Sequence, residues 1–307
     1  MMNTTISESR AVLTHHSRSF RLAGRFLTSQ QLDEAAVVYA FCRMVDDAAD
    51  EAESVEIAAV DLDAIESEVR GDVPPDATIA AFRDICHRRE IPIQAALELI
   101  AGVRSDLGHV RIADDAELTR YSYRVAGTVG VMMCGVLGVS SREAWPAAIA
   151  LGIGMQITNI CRDVMEDAVR GRVYLPASRL TAAGITDQAL IDGTHSRTAL
   201  AGVVSDLLDL ADENYAFAER GMHHIPWRGR LGILIASRLY RSIGVRLRAV
   251  HGSDPTHGRT ITTTMEKTWA VLSGIACFFH PVTLGILPGS ASVPTTAPHV
   301  PSLLEAA

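Results

Sequence analysis

The chain has 307 residues, of which 48% are hydrophobic and only 5% aromatic, and this is enough apolar material to bury a large core. Its net charge of −8 argues against a nucleic-acid-binding protein, because binding to phosphate backbones requires a basic patch and the sequence shows none. The abundance of Ala, Leu, Val and Ile favours helices over sheets.

The cysteines and the apolar stretches indicate the compartment. Five cysteines occur without CxxC spacing: Cys42, Cys86, Cys134, Cys161 and Cys277. This odd, scattered set is typical of reduced thiols, so we expect a cytoplasmic protein in which they pack and do not bind metal. The first ten residues, MMNTTISESR, lack the apolar core of a secretory signal. The most apolar stretches, residues 125–139 and 147–157, are shorter than the roughly 18–20 residues of a membrane span and are interpreted as buried helices.

The N-terminal part contains the first acidic motif. Residues 1–13 are expected to be flexible, and THHSRSF at residues 14–20 precedes the first periodic helix with serines suited to capping. From residue 32 to about 59 the apolar positions predict a helix that contains YAFCRMVDDAADE. Asp46 and Asp50 in this motif are four residues apart and project from one helix face. Such acids commonly mark a solvated face, but these closely follow bulky apolar residues.

The middle of the chain is predicted to be helical with one glycine-rich helix. After a loop at residues 71–76, helices are expected at 77–88, 93–110 and 116–139. A polar connection lies between the last two and contains Asp106, Arg111, Asp114 and Asp115. Glycines recur in the last helix at Gly127, Gly130, Gly135 and Gly138. They indicate either a close helix crossing or room for a long apolar ligand, and Tyr121 is placed to point into the same space.

The second acidic motif is QITNICRDVMEDAVRGRVYLP at residues 156–176, in a helix that begins near Ser141. Its polar residues recur at spacings of three and four: Asn159, Arg162, Asp163, Glu166 and Asp167. Mg²⁺ prefers oxygen ligands and is often held by a few carboxylates together with substrate phosphates. Two acidic helix faces therefore predict a magnesium site, with Arg43 and Arg162 as phosphate ligands. Arg170 and Arg172 are interpreted as cations that stabilise the helix C-terminus.

The remainder of the chain is also predicted to be helical. Helices are expected within residues 180–193, 196–221, 229–250 and 260–279, and no strand alternation appears. His223 and His224 are interpreted as a helix end, because no matching metal ligands lie nearby in sequence. Residues 281–307 are rich in Pro, Ser and Thr and are predicted to form a disordered tail.

These motifs, together with the HSRSF segment and VAGTVGVMM at residues 125–133, resemble the phytoene and squalene synthase family of head-to-head prenyltransferases, and most closely its bacterial phytoene synthases. The resemblance covers residues 14–280. It implies one all-α domain of the isoprenoid synthase fold, with helices around a central apolar cavity and the two acidic motifs facing each other across its mouth.

The resemblance also implies roles for individual residues. The metal ligands would be Asp46, Asp50, Asn159, Asp163 and Asp167. The arginines Arg43 and Arg162 would bind phosphate, as would Arg259, although the segment before it departs from the family pattern. The cavity would be lined by Ser17, Phe20, Tyr121, Val125 and Tyr240.

The reaction implied by the resemblance is the Mg²⁺-dependent condensation of two prenyl diphosphates through a cyclopropyl diphosphate, with Mn²⁺ as a substitute metal. The motifs favour formation of phytoene from two geranylgeranyl diphosphates in carotenoid biosynthesis. The alternatives are dehydrosqualene or squalene synthesis from farnesyl diphosphate and, remotely, a non-catalytic assembly factor of the same fold. NADPH is not expected, because no GxGxxG follows a strand.

An apolar product must leave into lipid, so peripheral contact with the inner membrane face is expected around residues 269–287. The alternative for this stretch is a core helix followed by a loop. The oligomeric state is left open by the sequence.

Overall fold

The part of the chain that the structure describes is mostly helical. The structure is a computed structural model that describes residues 9–10 and 24–287, with only the backbone at Arg25. Within these residues there are twelve α-helices: α1 (Ser29–Asp50), α2 (Val55–Arg70), α3 (Ala77–Arg88), α4 (Ile93–Arg104), α5 (Asp115–Ser122), α6 (Thr128–Leu137), α7 (Trp145–Val169), α8 (Ala177–Ala182), α9 (Asp187–Ile191), α10 (Arg197–Arg220), α11 (Trp227–His251) and α12 (Thr264–Phe278). The predicted all-α fold class is confirmed.

Two very short strands interrupt this pattern. Strand β1 (Val110–Arg111) pairs in parallel with β2 (Arg172–Val173), so that Val110 lies opposite Arg172. No alternation in the sequence predicts them, because two residues are too few to show a period. Their effect is local: they hold the segment after α7 beside the segment before α5.

The predicted helix over residues 32–59 is wrong in its extent, because the chain breaks between α1 and α2. The Ser54 hydroxyl accepts a hydrogen bond from the Ile57 N–H and begins a new helix there. The predicted helix over residues 93–110 likewise ends early, at Arg104, before a turn in which Gly108 has φ +79°.

The glycine-rich segment is helical throughout, as predicted, but contains a π-helical turn at Tyr123–Gly127 between α5 and α6. At the end of this turn the Thr128 N–H donates to the Tyr123 carbonyl, one residue farther back than in an α-helix. The extra residue changes which side chains face α7.

Helix α7 lies at the centre of the molecule. It packs most extensively against α10 and also contacts α6, α11 and the π turn. The segment Arg142–Val169 is long and apolar enough to cross a membrane, but 67% of its apolar window is buried inside the protein. It is a core helix, in agreement with the interpretation of the apolar stretches as buried helices.

The ends of the described chain fold back on the helices. Residues 281–287, which the sequence assigned to the tail, form turns in which the buried Thr283 hydroxyl donates to the His280 carbonyl at 2.9 Å. At the other end, the Arg10 side chain donates to the hydroxyl of Ser29 at 3.1 Å. The remaining residues of the predicted tail and of the N-terminal segment lie outside the described residues.

Candidate active site

A long cavity runs beside α7, from Asn159 at one end to Ala144 at the other. At about 1.5 Å of rise per residue, these two positions are roughly 22 Å apart along the helix. The empty space, including the solvent at its mouth, is about 1090 Å³. Almost all lining side chains are apolar, including Val125. The polar exceptions are Gln156, Asn159 and Tyr240. The end of the cavity near Asn159 therefore suits a charged group, and the rest of the cavity suits a hydrocarbon chain.

The glycines of the π turn and α6 serve close helix crossings. A Cβ added at Gly130 would lie 2.4 Å from the Ala148 carbonyl oxygen, and one at Gly135 would lie 2.4 Å from the Ile91 side chain. Gly138 has φ +76° and ends α6 in the left-handed conformation. Gly130 also lines the cavity, so this glycine both allows the close approach of α7 and leaves space for a ligand.

The first acidic motif lies on α1. Burial, reinforced by the neighbouring Asp50 carboxylate, raises the pKa of Asp46 to about 7. On the same helix, Arg43 Nη2 pairs with Asp47 Oδ1 at 2.5 Å. The ionised form of Asp46 is therefore disfavoured as long as no further cation lies nearby.

The second acidic motif lies in the last turns of α7. Asp163 pairs with the adjacent Arg162 and also with Arg259, whose Nε is 3.2 Å from its Oδ1. Burial, followed by repulsion from Asp163, raises the pKa of Asp167 to about 7. The Asn159 Oδ1 atom is buried and has no hydrogen-bond partner among the described residues. At this end of α7 the Asn159 oxygen thus lacks both a cation and a hydrogen-bond donor among the described residues.

Arg172 connects the two acidic motifs. Its Nη1 donates to Asp50 Oδ1 on α1 at 2.9 Å, and its charge also lowers the pKa of Asp167 on α7. The predicted role of this residue as a simple helix-terminal cation is therefore incomplete. Strand β2 places Arg172 between the two acidic faces, which lie near one another and not on separate surfaces.

The electrostatic interactions of Tyr240 and Tyr39 relate the two acidic helices, α1 and α7, to the cavity. Tyr240 on α11 lines the cavity, and the nearby Arg162 lowers its pKa although burial raises it overall. On α1, burial raises the pKa of Tyr39, Arg43 lowers it by a smaller amount, and Tyr240 raises it again. The polar end of the cavity thus adjoins both acidic helices.

Sequence reasoning missed Asp106, which it assigned to a polar connection. Its carboxylate accepts hydrogen bonds from the Tyr121 and Tyr174 hydroxyls, both at 2.9 Å. Burial raises the pKa of Asp106 to about 6 in spite of these hydrogen bonds. Tyr121 was expected to line the cavity, but its ring stacks on Tyr174 at 5.1 Å and its hydroxyl faces Asp106. No spacing in the sequence shows this group, because Tyr174 is 68 residues from Asp106.

The donor atoms at this end of the cavity fit a hard divalent cation. Carboxylate and amide oxygens are the ligands that Mg²⁺ prefers, and Asn159 Oδ1 has no other partner among the described residues. Within the part of the chain that the structure describes, no three acidic, histidine or cysteine side chains are close enough to hold an ion by themselves. A cation bound here would complete its coordination with water and substrate oxygens, as Mg²⁺ usually does.

Two predicted lining residues, Ser17 and Phe20, lie outside the described residues. Among the described residues, the site predicted from the sequence therefore consists of the two acidic motifs, the cavity residues Val125 and Tyr240, and Arg259, which pairs with Asp163.

Comparison with known proteins identifies the family of the chain. Residues 13–266 match the family model described as squalene/phytoene synthase. The 15-cis-phytoene synthase of Paracoccus sp. is 36% identical over 259 residues, covering 80% of this chain and 83% of the relative. The enzyme of the same name from Enterobacter agglomerans is 32% identical over 262 residues, with coverages of 82% and 88%.

Solved structures show the same fold. A dehydrosqualene synthase in complex with a ligand superposes with a TM-score of 0.78 at 24% identity, covering 90% of this chain and 96% of the other. A squalene synthase from Alicyclobacillus acidocaldarius gives 0.74 at 23% identity, with coverages of 83% and 96%.

The fold is that of the isoprenoid synthases. Within that class, the chain belongs to the squalene/phytoene synthase family, whose members act on prenyl diphosphates, and it is a prenyltransferase. The family resemblance found in the sequence is confirmed.

Proposed function

We propose that the protein joins two geranylgeranyl diphosphates head to head to form 15-cis-phytoene, a step of carotenoid biosynthesis. The observation that carries the proposal is the position of the two acidic motifs at the polar end of a long apolar cavity. The name phytoene synthase carried by relatives at 31–36% identity supports the choice of product.

The metal of the proposed reaction is Mg²⁺, with Mn²⁺ as a substitute. On one side it would be held by Asp46 and Asp50, and on the other by Asn159, Asp163 and Asp167. When bound, it neutralises the diphosphate leaving group. Support for this assignment comes from Asp46 and Asp167, whose pKa values are raised by burial and then by the neighbouring carboxylates of Asp50 and Asp163. A cation bound beside these carboxylates would favour their ionised form.

The arginines around the acids would bind the diphosphates directly. Arg43 and Arg162 are held by neighbouring aspartates, and Arg259 reaches Asp163 from another part of the chain. A planar guanidinium binds phosphate oxygens in a bidentate manner, so these side chains can exchange a carboxylate for a diphosphate oxygen. Arg172 belongs with them by position, between Asp50 and Asp167.

The chemistry has two halves and consumes no reductant. In the first half, the C–O bond of one substrate breaks, diphosphate leaves with the electron pair, and the double bond of the second substrate attacks the cation; loss of a proton closes a cyclopropane ring. In the second half, the remaining C–O bond breaks, the skeleton rearranges and a second proton is lost, which leaves a central double bond. Two diphosphates and two protons are released.

The cavity wall would protect these carbocations. Val129, Leu151 and Ile233 line it with hydrocarbon side chains that offer no nucleophile, and the bound chains would displace water that otherwise quenches the cation. The same wall selects against polar substrates because it has no partner for them away from its polar end.

A second candidate is the synthesis of dehydrosqualene or squalene from farnesyl diphosphate. Its support is the similarity of the fold to solved dehydrosqualene and squalene synthases. Squalene formation differs by needing a hydride, which NADPH would supply. The two candidates require the same acidic motifs and differ in chain length and in the final step.

The test is a competition between the two diphosphates. Purified protein is incubated with both substrates, with and without NADPH, and the hydrocarbons are identified by mass spectrometry. Phytoene is expected as the main product and is expected to be independent of NADPH. Its formation should stop with EDTA and return with Mg²⁺ or Mn²⁺. A product made from farnesyl diphosphate alone, or turnover that is insensitive to EDTA, would contradict the proposal.

A further inference from the structure

The outer face of α12 is an uninterrupted apolar stripe. Its large side chains are 80% (Met265), 73% (Trp269) and 52% (Leu272) exposed, and Ile261 before the helix and Phe279 directly after it are 69% and 68% exposed. At about 100° per residue Met265, Trp269 and Leu272 fall within roughly 60° of the helix circumference, and no charged residue lies between them on that arc. Such a face is unusual on a helix that meets only water.

The opposite face of α12 is firmly packed. Ala270, Gly274 and Cys277 are buried, and a Cβ added at Gly274 would lie 3.0 Å from the Ile235 Cα on α11. The helix is therefore held in place, and the exposure of its stripe does not result from a loosely attached segment. The alternative expected from the sequence, a core helix, holds for one face only.

More apolar surface lies where the cavity ends. Trp227, 58% exposed, follows closely after Met222 and Ile225, which line the apolar part of the cavity. Gly285 packs against His223 and so brings the exposed Ile286 and Leu287 to this region. Of the three tryptophans of the chain, Trp227 and Trp269 are exposed, whereas Trp145 is buried.

Basic side chains accompany this surface. Between residues 222 and 287 there are eight Arg and Lys against two acidic residues, in a chain with a net charge of −8. Most of these arginines pair with carboxylates, but Arg228 and Arg230 have no carboxylate partner among the described residues. Arg228 lies over the Trp227 ring at 5.2 Å, and Arg230 lies over the Phe278 ring at 4.8 Å. The Arg230 Nε atom is buried without a hydrogen-bond partner in the same part of the structure.

We propose that this surface, the docking surface formed by Ile261, Met265, Trp269, Leu272, Phe279 and Trp227, binds an anionic lipid bilayer. Charge complementarity favours this occupant, because arginines without carboxylate partners flank an apolar, tryptophan-containing face, the combination that lies in the headgroup region of bilayers. At its Trp227 end the surface lies close to Met222 and Ile225 of the cavity wall, so a hydrocarbon would have a short path between cavity and lipid.

The test measures vesicle binding of the full-length protein without substrate, so that its outcome is independent of the proposed reaction. Flotation is carried out with vesicles of phosphatidylglycerol and phosphatidylcholine in equal parts and with phosphatidylcholine alone. Wild type is expected to bind the anionic vesicles more tightly, and added salt should weaken the binding. Trp269→Ser/Leu272→Ser should lose about a hundredfold in affinity, since each side chain contributes roughly tenfold. Arg228→Gln should lose about fivefold on the anionic vesicles only.

The matched control is Ile57→Ser/Val60→Ser, which removes two exposed apolar side chains from α2, 45% and 65% exposed, and should bind like wild type. Circular dichroism melting verifies that every variant is folded. Equal loss in the control, or absence of vesicle binding by wild type, would overturn the proposal. A wild-type dimer that the α12 variant converts to a monomer would identify a second copy as the occupant. If the melting temperature of the α12 variant alone fell markedly, the occupant of the surface would be an undescribed segment of the chain itself. Either of these two results would also overturn the proposal.

Discussion

The crossing of α7 with the π turn leaves no room for a side chain at Gly152 in the cavity wall. A Cβ on Gly152 would lie 2.4 Å from the Ala126 carbonyl oxygen, 2.6 Å from its carbon and 2.7 Å from the Gly127 nitrogen. All three atoms belong to the backbone of a helical turn, so they cannot move aside as a flexible side chain can. Gly152→Ala must therefore push the two helices apart or distort one of them.

The expected loss of stability follows from two opposing effects. Alanine in place of glycine in a helix interior gains about 1 kcal/mol. Overpacking a tight core typically costs about 1–3 kcal/mol, and more where backbone must shift. With three backbone clashes the second effect should exceed the first, so we expect Gly152→Ala to lose about 1–2 kcal/mol of unfolding free energy.

Gly202→Ala is the matched control. Gly202 lies on the exposed side of α10, and nothing lies within 4 Å of its added Cβ. This variant should gain about 0.8–1 kcal/mol from helix propensity alone. Urea unfolding followed by circular dichroism measures both variants, and the account predicts opposite signs. If Gly152→Ala were as stable as Gly202→Ala, the close crossing would be refuted.

Further predictions concern the site and the thiols. Asp46→Asn and Asp163→Asn should each abolish turnover. Asp46→Asn should also leave the unfolding temperature nearly unchanged, because the ionised form of this buried carboxylate is disfavoured, and a large fall would contradict this. Tyr121→Phe keeps the aromatic stacking but removes the hydrogen bond to Asp106, so at pH 8 it should cost about 1.5–3 kcal/mol in urea unfolding, and an unchanged midpoint would count against that bond. Burial raises the pKa of Cys161 to about 12, so this and the other fully buried thiols should react with Ellman's reagent only after unfolding; fast reaction of all five native thiols at pH 8 would be incompatible with the packing.

The helices were predictable where apolar periodicity is long. Helix α10 begins and ends within one residue of its predicted bounds, and α3 agrees at both ends. The break between α1 and α2 was missed because it depends on one hydroxyl, that of Ser54, in a stretch whose composition still suits a helix. The π turn was missed because it leaves the apolar pattern intact and changes only the register of hydrogen bonds.

The acidic motifs were predictable because their members share a helix, where spacings of three and four set the facing. The groups between them were not. Asp106 acquires its role from Tyr121 and Tyr174, and Arg172 from Asp50, which is 122 residues away. Such contacts depend on how the helices are arranged in space, and no local pattern encodes them. The glycines illustrate the same limit, since only the arrangement shows that Gly135 meets Ile91 and not a ligand.

The central claim is that the acids of α1 and α7 bind one metal–diphosphate group at the polar end of the cavity. Calorimetric binding of inorganic diphosphate to the full chain tests it most directly, with Mg²⁺ or EDTA present and with Asp46→Asn and Asp163→Asn alongside wild type. The account predicts binding that requires Mg²⁺ and that is weakened at least about tenfold by a substitution in either motif. Binding that persists in EDTA, or that ignores one of the two motifs, would contradict it.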